Sequence, residues 1–220
     1  MKLSKDTLSI FKNFATINSN LILKAGNKLT TMSAAKNIIA EVVVSEQFPS
    51  DFGIYDLNEF LGVMSLFEGP ELTFSDKSVT IKEGKNGIRY FAAQQSVLTA
   101  IPNIKQFPDP DIEFDMSGQM LGQIQRVASI LKVSDFSVVG DGSTISVTVG
   151  DKKNPTGNSF DSELGVTDKT FKVNFKVENL KMMPGDYRVS IGGKKISRFQ
   201  STGQQLTYYV AIELDSTFDF

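Results

Sequence analysis

Cysteine and histidine are both absent from the 220 residues of this chain. The lack of cysteine excludes a disulfide framework, thiol catalysis and any metal site built on thiolates. The lack of histidine removes the most common general base, the most common metal ligand and every nucleophile that a histidine activates. Long apolar runs are missing too, since none approaches the roughly 20 residues of a membrane span. These absences argue against most classes of enzyme and against a helical membrane protein.

Two pairs of carboxylates and one glycine-lysine run remain as candidates for chemistry. Asp109 with Asp111, and Asp161 with Glu163, have the spacing of weak metal pairs, but both pairs sit in predicted loops with no third and fourth ligand in view, so we interpret them as solvated loop charges. The run at 192–195 lacks the preceding strand, the following helix and the Ser or Thr of a phosphate-binding loop. We therefore predict a protein that is not an enzyme, with no catalytic residue, no bound metal and no cofactor.

Positive and negative charges nearly balance, with 23 basic and 25 acidic side chains and a formal net charge of −2. Such a chain does not hold nucleic acid by bulk positive charge, so any contact with phosphates depends on a local concentration of Lys and Arg. Charges at Lys5, Asp6 and Lys12 interrupt the N-terminal segment, which is therefore not predicted to be a signal peptide. We expect a soluble protein that stays where it is made and has no membrane partner.

A first amphipathic helix is predicted after Ser4, which serves as its N-cap. Lys5 and Lys12 are seven residues apart, which is two helical turns, so both amines project from the face opposite the apolar arc. Lys2 precedes them, and Asp6 is the one acid in this region. The first helix therefore predicts a locally basic surface on an acidic chain.

Residues 117–132 predict a second basic helix, with six apolar residues on one arc. Its other face carries glutamines, Arg126 and a final Lys132, and no acidic residue occurs in the segment. That face is either an ordinary solvated surface or one that is turned toward a polyanion. A different predicted helix carries Glu59 and Glu68 and no base, so positive charge belongs to one helix in each half of the chain.

A pattern of one strand, one short helix and three strands recurs four times along the chain. The four helices are predicted to start at the caps Ser4, Asn58, Ser117 and Asn179, and the fourth helix is the shortest. Two copies of the pattern make one domain, so we predict an α+β fold of two similar domains, each with two helices packed on antiparallel sheets.

The predicted domain boundaries follow from the prolines. Residues 1–100 are predicted to form the N-terminal domain and residues 111–220 the C-terminal domain. Residues 101–110 contain three prolines and no regular period, so they are the predicted linker. Residues 150–168 are predicted to be a polar loop.

Five stretches resemble the DNA polymerase sliding clamps of T4-type bacteriophages, which are replication processivity factors. They are MKLSKDT at the start, residues 12–19, IYDLNEFLGVMSL from Ile54, NLKMMPGDYRV from Asn179 and YVAIELDSTFDF from Tyr209 to the end. The resemblance covers essentially the whole chain, and its departures lie mostly in loops. It therefore bears more directly on the fold than on the details of partner docking.

The resemblance implies a homotrimeric ring in which each subunit supplies two clamp-type domains, helices line the central hole and strand layers form the outside. The implied function is to encircle duplex DNA and to tether the replicative polymerase. Weak phosphate contacts then permit sliding, while closure of the ring prevents escape. The residues implied to face DNA are Lys2, Lys5, Lys12, Arg126, Lys132 and Lys181.

The resemblance also implies further partners. A ring must be opened, which implies an ATP-driven clamp loader, and the polymerase of this family docks a C-terminal peptide into an apolar pocket near the crossover between domains. The candidate residues for the pocket are Ile101, Ile104, Phe107, Pro108, Tyr209 and Val210, and burial of the linker explains the same residues equally well. The implied setting is a viral protein in the bacterial host cytoplasm, and a role in late viral transcription stays open.

Two other classes of function remain open from the residues alone. A non-topological single-strand DNA-binding module needs exposed aromatic side chains along its strands, whereas most of the 17 phenylalanines occupy core-like positions. A viral structural subunit built of repeated β-layers needs no DNA contact, so neutralising its basic residues would leave DNA-dependent activity unchanged. The mass of the assembly in solution separates a ring from a monomeric module.

Overall fold

The computed structural model describes residues 1–102, 106–154, 156–193 and 195–220. Contacts between Cα atoms divide the chain into two compact units, Met1–Ile104 and Lys105–Phe220. Each unit combines helical segments with antiparallel strands. None of the helices formed by the described residues has the length and apolar content that a membrane crossing requires.

The first unit consists of two α-helices, seven strands and a 3₁₀ turn within its described residues. In chain order they are α1 (Lys5–Ile17), β1 (Leu21–Leu23), β2 (Gly26–Met32), β3 (Ile38–Phe48), β4 (Phe52–Ile54), α2 (Leu57–Met64), β5 (Glu71–Phe74), β6 (Ser78–Glu83), β7 (Asn86–Phe91) and the turn Gln95–Val97. Strand β1 pairs with β4, β2 forms a hairpin with β3, and β5, β6 and β7 form a meander. All of these pairings are antiparallel.

The core of the first unit is built around aromatic side chains of both helices. Phe11 of α1 is fully buried, and its ring centroid lies 6.2 Å from that of Phe60 of α2. Phe60 in turn meets Tyr90 of β7 edge to face at 5.3 Å. Burial of each such side chain stabilises the fold by about 1.5–3 kcal/mol. These contacts fix which face of each helix remains outside.

The second unit consists of one α-helix, nine strands and a 3₁₀ turn within its described residues. They are β8 (Pro110–Met116), α3 (Gly118–Leu131), β9 (Asp135–Asp141), β10 (Thr144–Gly150), β11 (Ser159–Val166), β12 (Thr170–Lys176), the turn Val177–Asn179, β13 (Tyr187–Gly192), β14 (Ile196–Ser201), β15 (Leu206–Ala211) and β16 (Thr217–Phe218). One sheet has the order β11-β10-β9-β12-β16, and β15, β14, β13 and β8 pair consecutively in another.

The two sheets of the second unit meet through a row of aromatic rings. Phe136 of β9 stacks on Phe175 of β12 at 5.0 Å, and Phe175 contacts Phe199 of β14 at 6.2 Å. Tyr187 and Tyr208 extend the row, with ring centroids 6.1 Å apart. Helix α3 packs against β9 and β10 of the five-stranded sheet. Burial raises the pKa of the Tyr208 hydroxyl to about 12, so this core contains no ionised phenol near neutral pH.

The predicted caps of the first and third helices are confirmed. The hydroxyl of Ser4 accepts a hydrogen bond from the backbone N–H of Thr7 at 3.1 Å, and that of Ser117 accepts one from Met120 at 3.1 Å. The predicted cap Asn58 is wrong, because helix α2 begins two residues earlier at the cap Asp56. Oδ1 of Asp56 accepts hydrogen bonds from the backbone N–H groups of Asn58 and Glu59, so Asp56 satisfies two of the donors at the start of the helix.

The fourth predicted helix is reduced to the 3₁₀ turn Val177–Asn179, so Asn179 ends a helical turn and does not cap the start of one. Pro184 and Gly185 follow within six residues, and a proline restricts the residue before it to extended conformations. Too few residues remain between strand β12 and this proline to complete an α-helix. The predicted pairing of two α-helices per unit therefore holds only in the first unit.

The predicted polar loop at 150–168 is wrong in its second half, which forms strand β11. Phe160, Ser162 and Leu164 are half buried, and Asp161 and Glu163 between them are exposed. This alternation is typical of a strand with one solvated face. Its high content of Ser, Asp, Glu and Gly, which are poor strand formers, hides the strand from a propensity argument.

Candidate nucleic-acid interface

Helix α1 exposes its lysines because its other face is fixed in the core. Ile10, Phe11 and Phe14 are at most 3% exposed, and these three side chains define the buried side of the helix. Lys5 and Lys12 are exposed. Lys2 is exposed in the segment that precedes the helix. The structure therefore brings these three amines to the solvent side of the start and middle of α1.

The start of α1 is held by a carboxylate that is 42 residues away in the sequence. Glu46 of β3 accepts the backbone N–H of Ser4 on Oε1 at 2.5 Å and the hydroxyl of Thr7 on Oε2 at 2.6 Å. Burial by itself would raise the pKa of the Glu46 carboxyl, but the hydrogen bonds from Thr7 and Ser4 outweigh burial and hold this pKa below its usual value. The anchored group is therefore a carboxylate near neutral pH.

Helix α3 buries Leu121, Ile124 and Ala128 and exposes Arg126 on its opposite side. The guanidinium of Arg126 lies close above Gly122, because a Cβ placed on this glycine would be 3.6 Å from Nη1. The residues around it are neutral, so the exposed face of α3 has a positive charge and no carboxylate of its own. This matches the basic face that the sequence predicts for the segment.

Lys132 marks the end of α3. It has a left-handed backbone with φ of 55°, and its N–H donates to the carbonyl of Ala128. The side chain is exposed. Lys181 is placed differently: it is half exposed and follows the 3₁₀ turn in a segment without helical structure. A phosphate contact at Lys181 therefore cannot come from a helix face, contrary to the expectation that all four helices face DNA.

Helix α2 presents the opposite charge. Glu59 in its first turn is exposed, and the helix contains no Lys or Arg. Its buried side consists of Leu57, Phe60 and Met64. The basic surface is therefore a property of α1 and α3 and not of the exposed helices in general.

Few of the described bases form ion pairs, and five of the predicted DNA-facing residues share this lack of pairing with other exposed bases such as Lys77 and Arg89. Within the described residues, ion pairs shorter than 4 Å involve Lys24, Lys28, Lys152, Lys176 and Arg188. Lys2, Lys5, Lys12, Arg126 and Lys132 take part in none of them. No described carboxylate oxygen therefore lies within 4 Å of the charged groups of these five residues. Nor do the described residues contain a group of three or more acidic side chains that could hold a metal ion.

Part of the predicted partner pocket comes together in the second unit. The ring of Phe107 lies 6.2 Å from that of Tyr209, and the guanidinium carbon of Arg198 lies 4.6 Å above the Phe107 ring. Gly192 packs against half-buried Phe107 and exposed Pro108, since a Cβ added to this glycine would lie about 3 Å from both residues. Arg198 is absent from the sequence prediction, because its place opposite Tyr209 follows from the pairing of β14 with β15.

Of the other three predicted pocket residues, two lie in the described part of the chain. Val210 is fully buried, so it offers no exposed surface to a partner. Successive residues of a strand point to opposite faces, and β15 turns Tyr209 outward and Val210 into the core. Ile101 is half buried in the first unit, and Ile104 lies outside the described residues.

Two family models match most of the sequence. The model described as DNA polymerase processivity factor matches residues 4–100, and the model described as gp45 sliding clamp, C terminal, matches residues 113–214. The chain belongs to the sliding clamp family. The predicted family and the predicted function as a polymerase processivity factor are thereby confirmed, whereas neither the structural subunit nor the single-strand module gains support.

Individual relatives agree over the full length of the chain. The sliding clamp of Vibrio phage KVP40 is 33% identical over 221 residues, which span 97% of this chain and 99% of the relative. The sliding clamp of Enterobacteria phage T4 is 33% identical over 233 residues, with 100% of both chains covered. Among solved structures, A. fulgidus PCNA bound to the C-terminal region of FEN-1 has a TM-score of 0.70 at 14% identity and covers 96% of each chain. This structural likeness confirms the predicted fold class.

Proposed function

We propose that this member of the sliding clamp family encircles duplex DNA as a homotrimeric ring and thereby keeps the replicative polymerase on its template. The observation that carries the proposal is a pair of exposed basic helix faces on a chain of net charge −2. Lys5 and Lys12 form one face on α1, and Arg126 forms the other on α3. Side chains of this kind attract phosphates without reading the base sequence.

Enclosure explains how so few contacts suffice. A handful of cations on an acidic protein gives weak adhesion, which salt weakens further. A closed ring needs no strong adhesion, because it leaves the duplex only at an end. Weak phosphate contacts then favour sliding, and a polymerase tethered to the ring rebinds the primer end at a high effective concentration.

Two sheet edges support a head-to-tail ring. Within the described residues, β7 pairs only with β6, and β11 pairs only with β10. The two edges have complementary character: β7 carries Arg89 and exposes Phe91 by 66%, whereas β11 carries exposed Asp161 and Glu163 and exposes Val166 by 83%. We propose that β7 of one subunit pairs with β11 of the next, a heterologous contact that closes into a ring when the rotation per subunit allows it.

We propose the group of Phe107, Arg198 and Tyr209 as the docking site for a C-terminal peptide of the polymerase. An exposed proline and two aromatic rings offer apolar surface, and Arg198 supplies one positive charge beside it. The relative from A. fulgidus, which binds the C-terminal region of FEN-1, supports this type of partner. We further propose that an ATP-driven loader opens the ring and that the clamp itself performs no catalytic step. The proposed setting is the cytoplasm of the bacterial host.

Sedimentation equilibrium of the purified chain tests the ring. We expect a mass of three chains for the wild type, and a single chain for the variant that carries both Phe91→Asp and Val166→Asp. Ile130→Asp is the matched control, because Ile130 is 77% exposed on α3, outside both edges, and its replacement leaves three chains together. A wild-type mass of one chain at every concentration contradicts the proposal.

A further inference from the structure

We propose that Glu46 is a positioning residue that sets the first turn of α1 and thereby holds Lys5 in place for contact with phosphates. Glu46 itself does not touch DNA in this account. The inference rests on the proposed function of the α1 face, and it adds a residue that no pattern around Lys5 identifies.

The first reason is that α1 lacks the local partner its cap normally has. In a capping box, the N-cap serine pairs with a Glu or Gln three residues later, which reaches back to the N–H of the cap. That position here is Thr7, whose side chain is too short to reach back. Glu46 from β3 supplies the missing carboxylate by accepting the N–H of Ser4 at 2.5 Å.

The second reason is that Glu46 holds two points of the same turn. Its Oε1 accepts from Ser4, and its Oε2 accepts from the Thr7 hydroxyl at 2.6 Å. Ser4 also donates its own hydroxyl to Thr7 at 3.1 Å, which closes the set of contacts. Lys5 lies between the two anchored residues, so its backbone cannot move unless this set of contacts opens.

The third reason is that α3, the other basic helix, is also held at its start by a carboxylate that is distant in the sequence. The backbone N–H of Gly118, the first residue of α3, donates to the carboxylate of Asp186 at 2.8 Å across 68 residues of sequence. Helix α2, which carries no base, is capped by the carboxylate of Asp56, and the remote acceptor at its start is a backbone carbonyl, that of Ser19, which accepts the N–H of Leu57 at 2.7 Å. Among the described helices, a remote carboxylate therefore anchors those with basic faces and not the acidic one.

Simple electrostatics and the positioning role predict opposite effects of removing Glu46. Deleting a negative charge beside lysines strengthens attraction to DNA if charge alone matters. If Glu46 positions Lys5, its removal frees the first turn and weakens binding. Asp6 is the matched control, because it is an exposed acid in the same turn and makes no anchoring contact of this kind.

The experiment measures equilibrium binding of a short linear DNA duplex at low salt by fluorescence anisotropy. We expect Glu46→Ala to weaken binding about threefold, because binding then has to order the freed first turn and Lys5. We expect Asp6→Ala to bind as tightly as the wild type or more tightly. Adding Thr7→Glu to Glu46→Ala rebuilds a local capping box and is expected to restore most of the lost affinity.

Lys5→Ala separates this inference from the proposed function. If Lys5→Ala weakens binding, the α1 face contacts DNA, and Glu46→Ala is then expected to have almost no further effect in the Lys5→Ala background. Should Lys5→Ala weaken binding while Glu46→Ala leaves it unchanged or tighter, the positioning role is wrong and the proposed function stands. Unchanged binding by Lys5→Ala overturns the assignment of the α1 face itself.

Discussion

Helices α1 and α2 share one core and differ in the charge that they show to solvent. Phe11 and Phe60 meet in the first unit with ring centroids 6.2 Å apart, and both are at most 1% exposed. On the outside, α1 carries Lys5 and Lys12, whereas α2 carries Glu59. The comparison shows that amphipathic packing explains both helices equally, so only the exposed charges indicate which helix is suited to a polyanion.

The largest expected effect comes from truncating the aromatic core that α1 and α2 share. We expect Phe11→Ala and Phe60→Ala each to lower the free energy of unfolding by about 3–5 kcal/mol, because each leaves a cavity in the same aromatic cluster. Urea denaturation measures both values. Leu66→Ala is the control, since Leu66 is 69% exposed and its truncation costs little. A loss below about 1 kcal/mol for either phenylalanine would show that the helices do not share a core.

Charge reversal on the exposed faces tests how the two helices differ. We expect Lys5→Glu with Lys12→Glu to weaken low-salt binding of a DNA duplex by at least about tenfold, since each lost phosphate contact also reduces the counterions released on binding. Glu59→Gln on α2 is expected to change binding by less than about twofold. Both are measured by titration over a range of salt concentrations. Equal effects of the two changes would remove the distinction between the helices.

Removing the N-caps of α1 and α2 tests the same difference between the two helices, with a smaller expected effect. Ser4→Ala and Asp56→Ala are each expected to lower stability by about 1 kcal/mol, because each leaves backbone N–H groups without an acceptor. Only Ser4→Ala is expected to weaken DNA binding, since only α1 carries lysines in the affected region. Thermal denaturation measures the loss of stability of each variant, and the anisotropy titration measures its DNA binding. If Asp56→Ala also weakens DNA binding while the mass of the assembly stays constant, the prediction that only α1 serves DNA binding is contradicted.

The smallest expected effect is a pH dependence at the start of α1. Burial acts to raise the pKa of Glu46, yet the hydrogen bonds from Thr7 and Ser4 hold it below its usual value in the folded state. The stability that Glu46 contributes is therefore fully present above its unfolded pKa of about 4.3 and is lost as pH falls through the lower folded value. The difference in unfolding free energy between wild type and Glu46→Ala should shrink on acidification. A difference that grows at low pH contradicts this sign.

Much of the fold follows from short-range patterns in the sequence. Helix α3 extends from the cap Ser117 to Lys132 as its periodicity predicts, because cap, apolar arc and end all lie within one segment. The basic character of α1 and α3 follows equally from spacing. By contrast, β11 is missed, since an edge strand with alternating acids carries little local preference for a strand.

The parts of the candidate sites that the sequence does not reveal depend on long-range pairing. Arg198 joins Phe107 and Tyr209 only because β14 pairs with β15 in one particular register. The burial of Val210 beside half-exposed Tyr209 has a related cause, because a shift of one residue along a strand moves a side chain to the opposite face. Glu46 reaches α1 across 42 residues, and the one local sign of it is Thr7 where a capping box has Glu.

Retention on circular DNA tests the central claim that enclosure replaces adhesion. The protein is loaded on nicked circular DNA with the proposed loader and ATP and is then washed with salt that abolishes binding to a short linear duplex. The amount of bound protein is measured before and after a restriction enzyme cuts the circle. We expect the protein to remain on the intact circle and to leave once the DNA has ends. Equal release from intact and cut DNA contradicts the account.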